Sequence, residues 1–495
     1  MTDSIPLAVV VPIIGGVVSL LVGLRREKSG WAVSVVTVLA EAVLVVDILT
    51  SVASASGRRV TYHVGGFAPP AGIELVADGF SASVVALVSA VALGFLAYSR
   101  ESDRGNAFYT AFLVLVGGLS GFVLTGDLFN MYVFLEITGL TAYALVASGD
   151  SPRSAVASLK YLVVGTVGAS LFLLGVGYLY IATGTLNMVD LSERIADFGY
   201  SSRLVVSGFG LILTGLLVKA AIFPLHTWQP DAYAESPDSV SALISALVST
   251  AAVYGLARVI YTVFTVDFFE AVPVARDVVL YLASVSIVAG SVLAVLQTDI
   301  KRMLAYSSVS QYGLIVAGFV MGTKQAAVGG LIYLLGHAVL KGGAFAAAGA
   351  VAAETGDRKV DEYAGLFGRS RVTAVGLGVI AMGLIGVPPG PGFVGKWYIV
   401  VGAVETGSWV VAGVILVSTV LSLAYLARIV ERVFFAGRDT TDAPTGAAAD
   451  GGSPGGASTG MVAVVVTAAV VGMALGPMGT VVESFADPVL TEVFG

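Results

Sequence analysis

Residues 215–233 read GLLVKAAIFPLHTWQPDAY. A lysine, Lys219, stands inside an apolar run, and five residues later Pro224 interrupts that run, with His226 and Trp228 close behind. Proline removes a backbone donor and clashes with the preceding turn, so a helix must kink or unwind here. Inside a bilayer such a break is tolerated only where protein or a wet cavity satisfies the freed backbone groups. An ionisable residue beside a broken transmembrane helix is the physical signature of an ion or proton site. The competing reading is a structural kink, with Lys219 reaching for an interface.

Outward from that stretch the chain is of one character. Of 495 residues, 57% are hydrophobic and 12% charged, and the mean hydropathy is +0.92. Soluble domains carry about 25% charged residues, so the composition predicts a polytopic, all-α membrane protein. Apolar runs of about 20 residues, the length of a span, fall at 4–24, 31–53, 79–99, 107–126, 128–148, 155–183, 203–224, 239–264, 277–298, 303–321, 325–353, 371–405, 408–435 and 460–482. That makes fourteen. The run 371–405 breaks a second time, at Val387, Pro388, Pro389 and Gly390. The start, MTDSIPLAVVVPIIGG, reads as a first span rather than a cleaved signal peptide.

Basic residues orient the spans. Loops after odd-numbered spans hold fifteen of the 26, and loops and helix ends after even-numbered spans hold seven. An even span count with this bias puts both termini outside a plasma membrane. Four basic residues remain, Lys160, Lys219, Lys341 and Lys396, all within apolar spans. Lysine, unlike arginine, can give up its proton when desolvated, so this remainder points to proton exchange. Neutralisation of buried acids is the alternative, but Glu136 is the obvious intramembrane carboxylate and cannot pair four lysines. Further acids lie in or near spans at Glu41, Asp47, Asp127 and Asp299. His337 and Lys341 are four apart and share a helix face, where a neutral histidine can pass a proton to its neighbour.

The two breaks, each with a lysine beside it, suggest repeated halves made of spans four to eight and nine to thirteen. One membrane domain is expected: spans one to three in 1–99, a first repeat in 100–265, a second in 277–435, a flexible linker at 437–459, and the last span in 460–495. The segment YHVGGFAPPAGIELVADGF predicts a small hairpin, with His63 in a structural role. With no cysteine and only three histidines, thiolate-held iron–sulfur clusters, zinc and bis-histidine haem are not expected. No cofactor is expected, and neither a phosphate-binding loop nor a nucleophile–histidine–acid set is found in context. The acidic balance does not suggest nucleic acid.

Six motifs in order carry a resemblance: GDLFNMYVFLEITGLTAYAL, SLKYLVVG, KAAIFPLHTWQPDAY, QTDIKRMLAYSSVSQYGLIVAG, GHAVLKGGAF and GVPPGPGFVGKW. They resemble the antiporter-like membrane subunits shared by Mrp-type sodium/proton antiporters and respiratory complex I, over about residues 60 to 435. That resemblance implies fourteen helices with two inverted five-helix repeats. It implies a proton path through Glu136, Lys219 and Lys396, with His337 and Lys341 in the eleventh helix. Glu136 and Lys219 are expected at about 6–8 Å, close enough to bias each other's proton affinity.

One departure stands out. Where the family carries a lysine in a stretch like TKVGVY, residues 249–254 read STAAVY, putting Thr250 at the lysine position. The link between halves then runs through water held by Thr250, Ser245, Ser249 and Tyr254, through His226, or not at all. The D subunit of Mrp antiporters is the nearest likeness in length and in the start of the first external loop, and no long lateral helix is expected after the last span. The functional expectation is a proton-conducting subunit working with other membrane subunits, protons and sodium. The alternatives are a proton-pumping subunit of a complex I-like or membrane-hydrogenase oxidoreductase, with no redox centre in this chain, and a non-conducting scaffold.

Overall fold

The computed structural model describes residues 2–55, 58–437 and 456–494. The expected linker at 437–459 therefore lies mostly outside the described residues. In chain order the helices begin with α1 (Ser4–Gly23), α2 (Gly30–Ser54), α3 (Gly79–Tyr98), α4 (Asn106–Leu124), α5 (Leu128–Ala147), α6 (Pro152–Thr183) and α7 (Met188–Phe198). Next come α8 (Arg203–Lys219), α9 (Gln229–Glu235), α10 (Asp238–Val259), α11 (Thr265–Ala271), α12 (Pro273–Val295), α13 (Ile300–Val320) and α14 (Lys324–Thr355). The last are α15 (Leu366–Arg369), α16 (Arg371–Ile385), α17 (Pro391–Glu405), α18 (Trp409–Phe434), α19 (Thr459–Ala474) and α20 (Gly479–Phe494). The predicted hairpin is present as β1 (Arg59–His63) paired antiparallel with β2 (Glu74–Asp78).

The chain is a multi-pass, all-α membrane protein. Among the described residues, eleven helices are long and apolar enough to cross a membrane, twelve if α19 and α20, bent by 67° to each other, count as one span. The two remaining apolar runs are the broken ones: 203–224 leaves the helix after α8, with α9 following the interruption, and 371–405 is divided into α16 and α17. The glycine-containing stretch at the bend after Ala474 reads in sequence equally well as a span's end.

Two halves repeat with a constant step. Asp127 caps α5 through the Asn130 N–H at 2.7 Å, and Asp299, 172 positions on, caps α13 through the Arg302 N–H at 2.8 Å. The isolated bridges Asp127 with Asn187 and Asp299 with Lys359 keep that step at both ends. So do α6 and α14, each of 32 residues and each followed by a glycine in left-handed conformation, Gly184 and Gly356. A unit of five spans begins and ends on opposite sides of the membrane, so its repeat enters inverted. In each half the long helix packs on the broken one where backbones nearly touch. A Cβ on Gly175 would come within 2.8 Å of the Gly208 carbonyl, and one on Gly329 within 2.8 Å of the Gly395 carbonyl. Small residues allow this approach between membrane helices, where apolar burial gives no preference over lipid. The central α10, α13 and α14 are almost wholly buried, whereas α1 and α2 keep large apolar faces exposed.

Candidate functional site

Lys219 is the last residue of α8. The backbone then turns away through Ala221, at φ 57, and the Val218 carbonyl accepts both the Ala221 N–H at 3.1 Å and the indole N–H of Trp228 at 2.9 Å. Nearby the Phe223 N–H donates to Ser286 Oγ at 3.1 Å. Side chains thus satisfy the groups that the interruption at Pro224 would leave bare. The Trp228 ring stacks on Tyr161 at 3.9 Å and fixes the return of the chain.

At that helix end Lys219 Nζ lies 3.6 Å from Glu136 Oε1 on α5 and donates to the Tyr143 hydroxyl at 2.9 Å. The separation is shorter than the sequence led us to expect, because α5 carries a glycine at the crossing: a Cβ on Gly139 would stand 2.8 Å from Nζ. Lys219 is only 3% exposed, and Glu136 Oε1 accepts no hydrogen bond among the described residues. The carboxylate is held close to the ammonium without being locked to it.

Lys160 belongs elsewhere. Its Nζ donates to Asp231 Oδ2 at 2.7 Å, and Asp231 also meets Arg302 at 3.0 Å, which reaches Glu235 at 3.3 Å. This network lines a cavity of about 380 Å³ at the end of α6, with Lys160 40% exposed. It is a partly solvated ion cluster, not a buried lone lysine. His226 is buried with Nδ1 unpartnered, its ring 5.2 Å from Phe223 and 5.9 Å from Tyr306.

Between the halves the polar groups come from α8, α9, α10 and α13. The Lys219 carbonyl accepts from Ser249 Oγ at 3.4 Å, and Gln229 Nε2 donates to Ser249 Oγ at 3.1 Å and to the Tyr233 hydroxyl at 3.2 Å. One residue on, the Thr250 hydroxyl lies 3.0 Å from that of Tyr312, whose ring meets His337 edge-on at 5.0 Å. Two of the four hydroxyls expected to hold water here spend their donor on a backbone carbonyl. Ser245 Oγ donates to the Ala242 carbonyl of its own helix, and the Tyr254 hydroxyl donates to the Val123 carbonyl. Tyr312, Tyr233 and Gln229 add polar groups beside Ser249 and Thr250.

In the second half His337 is fully buried, and among the described residues neither ring nitrogen has a partner. Lys341 donates to the Leu304 carbonyl at 2.8 Å and to Ser307 Oγ. Lys396, in the first half of α17 beyond the Pro388–Pro389 break, donates to the Ile385 carbonyl at 3.0 Å, an acceptor left by the end of α16. Among the described residues no carboxylate pairs with Lys341 or Lys396, whereas Lys219 and Lys160 both have one.

Arginine is not absent from the depth of the fold. Arg258, assigned to a helix end by its sequence position, is buried and grips Asp78 with two bonds of 2.7 and 2.9 Å. Lys301, counted as a loop residue, is buried against Asp238 at 2.9 Å. These pairs join positions 180 and 63 apart, so no local pattern announces them. The one sequence cue for Arg258 is its place four residues after Tyr254, whose hydroxyl it also contacts at 2.9 Å.

The family profile described as NADH:quinone oxidoreductase/Mrp antiporter, TM, matches residues 125–422. The chain belongs to this family. It is 42% identical over 387 residues to NADH-quinone oxidoreductase subunit N of Desulforudis audaxviator, covering 77% of this chain and 76% of that one. To the D subunit of the Na(+)/H(+) antiporter of Bacillus subtilis it is 31% identical over 455 residues, 91% of each chain. A chain of the Mrp complex from Dietzia sp. DQ12-45-1b superposes with a TM-score of 0.88 at 26% identity, covering 100% of this chain and 97% of that one. The protein is thus an antiporter-like membrane subunit, one among several in an assembly.

Proposed function

We propose that the chain is the proton-conducting subunit of a multisubunit Mrp-type cation/proton antiporter of the plasma membrane, exchanging sodium for protons, with both termini outside. The observation that carries the proposal is the contact of Glu136 with Lys219 at 3.6 Å, beside a break whose backbone is satisfied by side chains. An acid–base pair this close, its lysine buried and its glutamate half-buried, shares protons as a unit: a charge on one raises the cost of discharging the other. From Lys219 the path proceeds by Ser249, Thr250 and Tyr312 to His337, and on to Lys341 and Lys396. The polar atoms of His337 lack partners, which gives water or a proton a place to dwell. Lys160 and His226 belong to the entrance rather than the centre. The antiporter reading is supported by a match spanning 91% of both chains.

A second reading, the proton-pumping subunit of a redox-driven complex, draws support from the 42% identity to an oxidoreductase subunit. Purification of the native complex separates the two. Sodium-dependent proton movement in reconstituted vesicles, with no iron–sulfur or quinone-reducing subunit co-purifying, is expected. Proton movement that requires an electron donor overturns the antiporter reading and leaves the Glu136–Lys219 pair in place.

A further inference from the structure

Two adjoining cavities lie between α3 and α19, apart from the lysine track. The inner, of about 370 Å³, reaches to α10 and α14 and is apolar almost throughout. The outer, of about 790 Å³, is walled by α2, α3 and α19 and ends at Arg100 and Glu101 beside Trp31. Leu93, Ala97 and Ala463 line both, so the two form one groove. Ala97 and Ala463 are exposed on helices of the membrane zone, which opens the groove to lipid rather than to water.

Its mouth is built differently from its depth. Trp31 donates its indole N–H to the Leu96 carbonyl at 2.9 Å, and the Arg100 guanidinium stands 5.9 Å from its ring. Tryptophan anchored in this way marks the headgroup level of a bilayer. The α1–α2 and α3–α4 connections share this side by span count and hold five basic residues (Arg25, Arg26, Lys28, Arg100 and Arg104) against three acids (Glu27, Glu101 and Asp103). One of those acids, Asp103, is already taken by Lys28 at 2.6 Å. An apolar slot ending in an uncommitted cation and an indole is complementary to one occupant.

We propose that this groove binds an anionic phospholipid, one acyl chain in the inner cavity and the phosphate at Arg100. The inner wall includes Ala338, Gly342 and Gly343, the positions directly beside His337 and Lys341 on α14. The chain of the lipid therefore packs the back of the helix that carries both residues, whatever drives transport.

Gly94 lines the inner cavity, and a Cβ there would meet no atom within 4 Å. Larger side chains at this position fill the groove without displacing backbone. The test uses the intact complex in vesicles of equal phosphatidylglycerol and phosphatidylethanolamine, with retained lipid weighed by native mass spectrometry. Wild type is expected to keep phosphatidylglycerol in preference. Arg100→Gln lowers that preference about fivefold, and Gly94→Phe and the smaller Gly94→Leu each lose one retained lipid per chain. A photoactivatable residue at position 94 is expected to capture phosphatidylglycerol. Undiminished lipid in both Gly94 variants, an unchanged preference in Arg100→Gln, or capture of a neighbouring protein from position 94 overturns the proposal.

Discussion

A single ammonium against a single carboxylate sets the chemistry at the residue scale. Glu136→Gln keeps shape and removes charge; Lys219→Ala removes the partner. Either change is expected to lower proton-coupled transport by at least about a hundredfold, the range for losing a positioned proton-transfer group, while the complex still assembles. Full transport in reconstituted vesicles carrying either variant would sink the assignment. The bridge between halves makes a finer prediction. Tyr312→Phe removes the hydroxyl that meets Thr250, and Thr250→Val removes its partner at nearly constant volume. If both act in one path, each slows transport about fivefold, as for one net hydrogen bond of about 1 kcal/mol, and the double variant is no slower than either single one. Additive losses would place the two hydroxyls on separate routes. Thr250→Lys, which installs the lysine that the family resemblance implies at this position, is expected to support transport.

At the scale of elements the breaks do the positioning. Lys219 ends α8, and the acceptor for Lys396 is a carbonyl at the end of α16; in an unbroken helix neither geometry exists. Pro224→Ala permits the regular helix to continue and withdraws the Val218 carbonyl from Trp228. Membrane insertion is expected to stay near normal, with transport reduced severalfold; wild-type rates from a well-expressed variant would make the break ornamental. Much of this was legible in the sequence. Proline in an apolar run, lysine a few residues before it, and histidine four from lysine are local patterns, and helix geometry converts them directly into shared faces and helix ends. Their partners were not legible. Tyr143 lies 76 residues from Lys219 and Tyr312 lies 62 from Thr250, so only packing decides that they meet. The same limit explains Lys160, whose run is apolar although its tip emerges beside Asp231.

For the whole molecule, the question is what binds the first three helices to the repeats. The 172-residue step joins α4–α10 to α12–α18 and leaves α1, α2, the hairpin and α3 outside it. The Asp78–Arg258 pair ties them in: Asp78 caps α3 by accepting from Phe80 and Ser81 N–H, and it holds Arg258 on α10. Both charges are buried, so each depends on the other for its solvation. Asp78→Asn strands a buried guanidinium and is expected to cost about 3–5 kcal/mol, whereas replacing both partners by apolar residues of similar volume is often close to neutral. Asp78→Asn should therefore lower the thermal midpoint of the detergent-solubilised complex sharply. Asp78→Asn with Arg258→Met should recover a large part of that loss, because asparagine keeps a side-chain oxygen to cap α3. Recovery of stability with unchanged transport makes the pair a clasp. Stability that recovers while transport stays lost would instead make Arg258 and Asp78 part of the outer end of the conducting path, since both line the cavity of about 590 Å³ that also holds Glu74, Glu193 and Asp267.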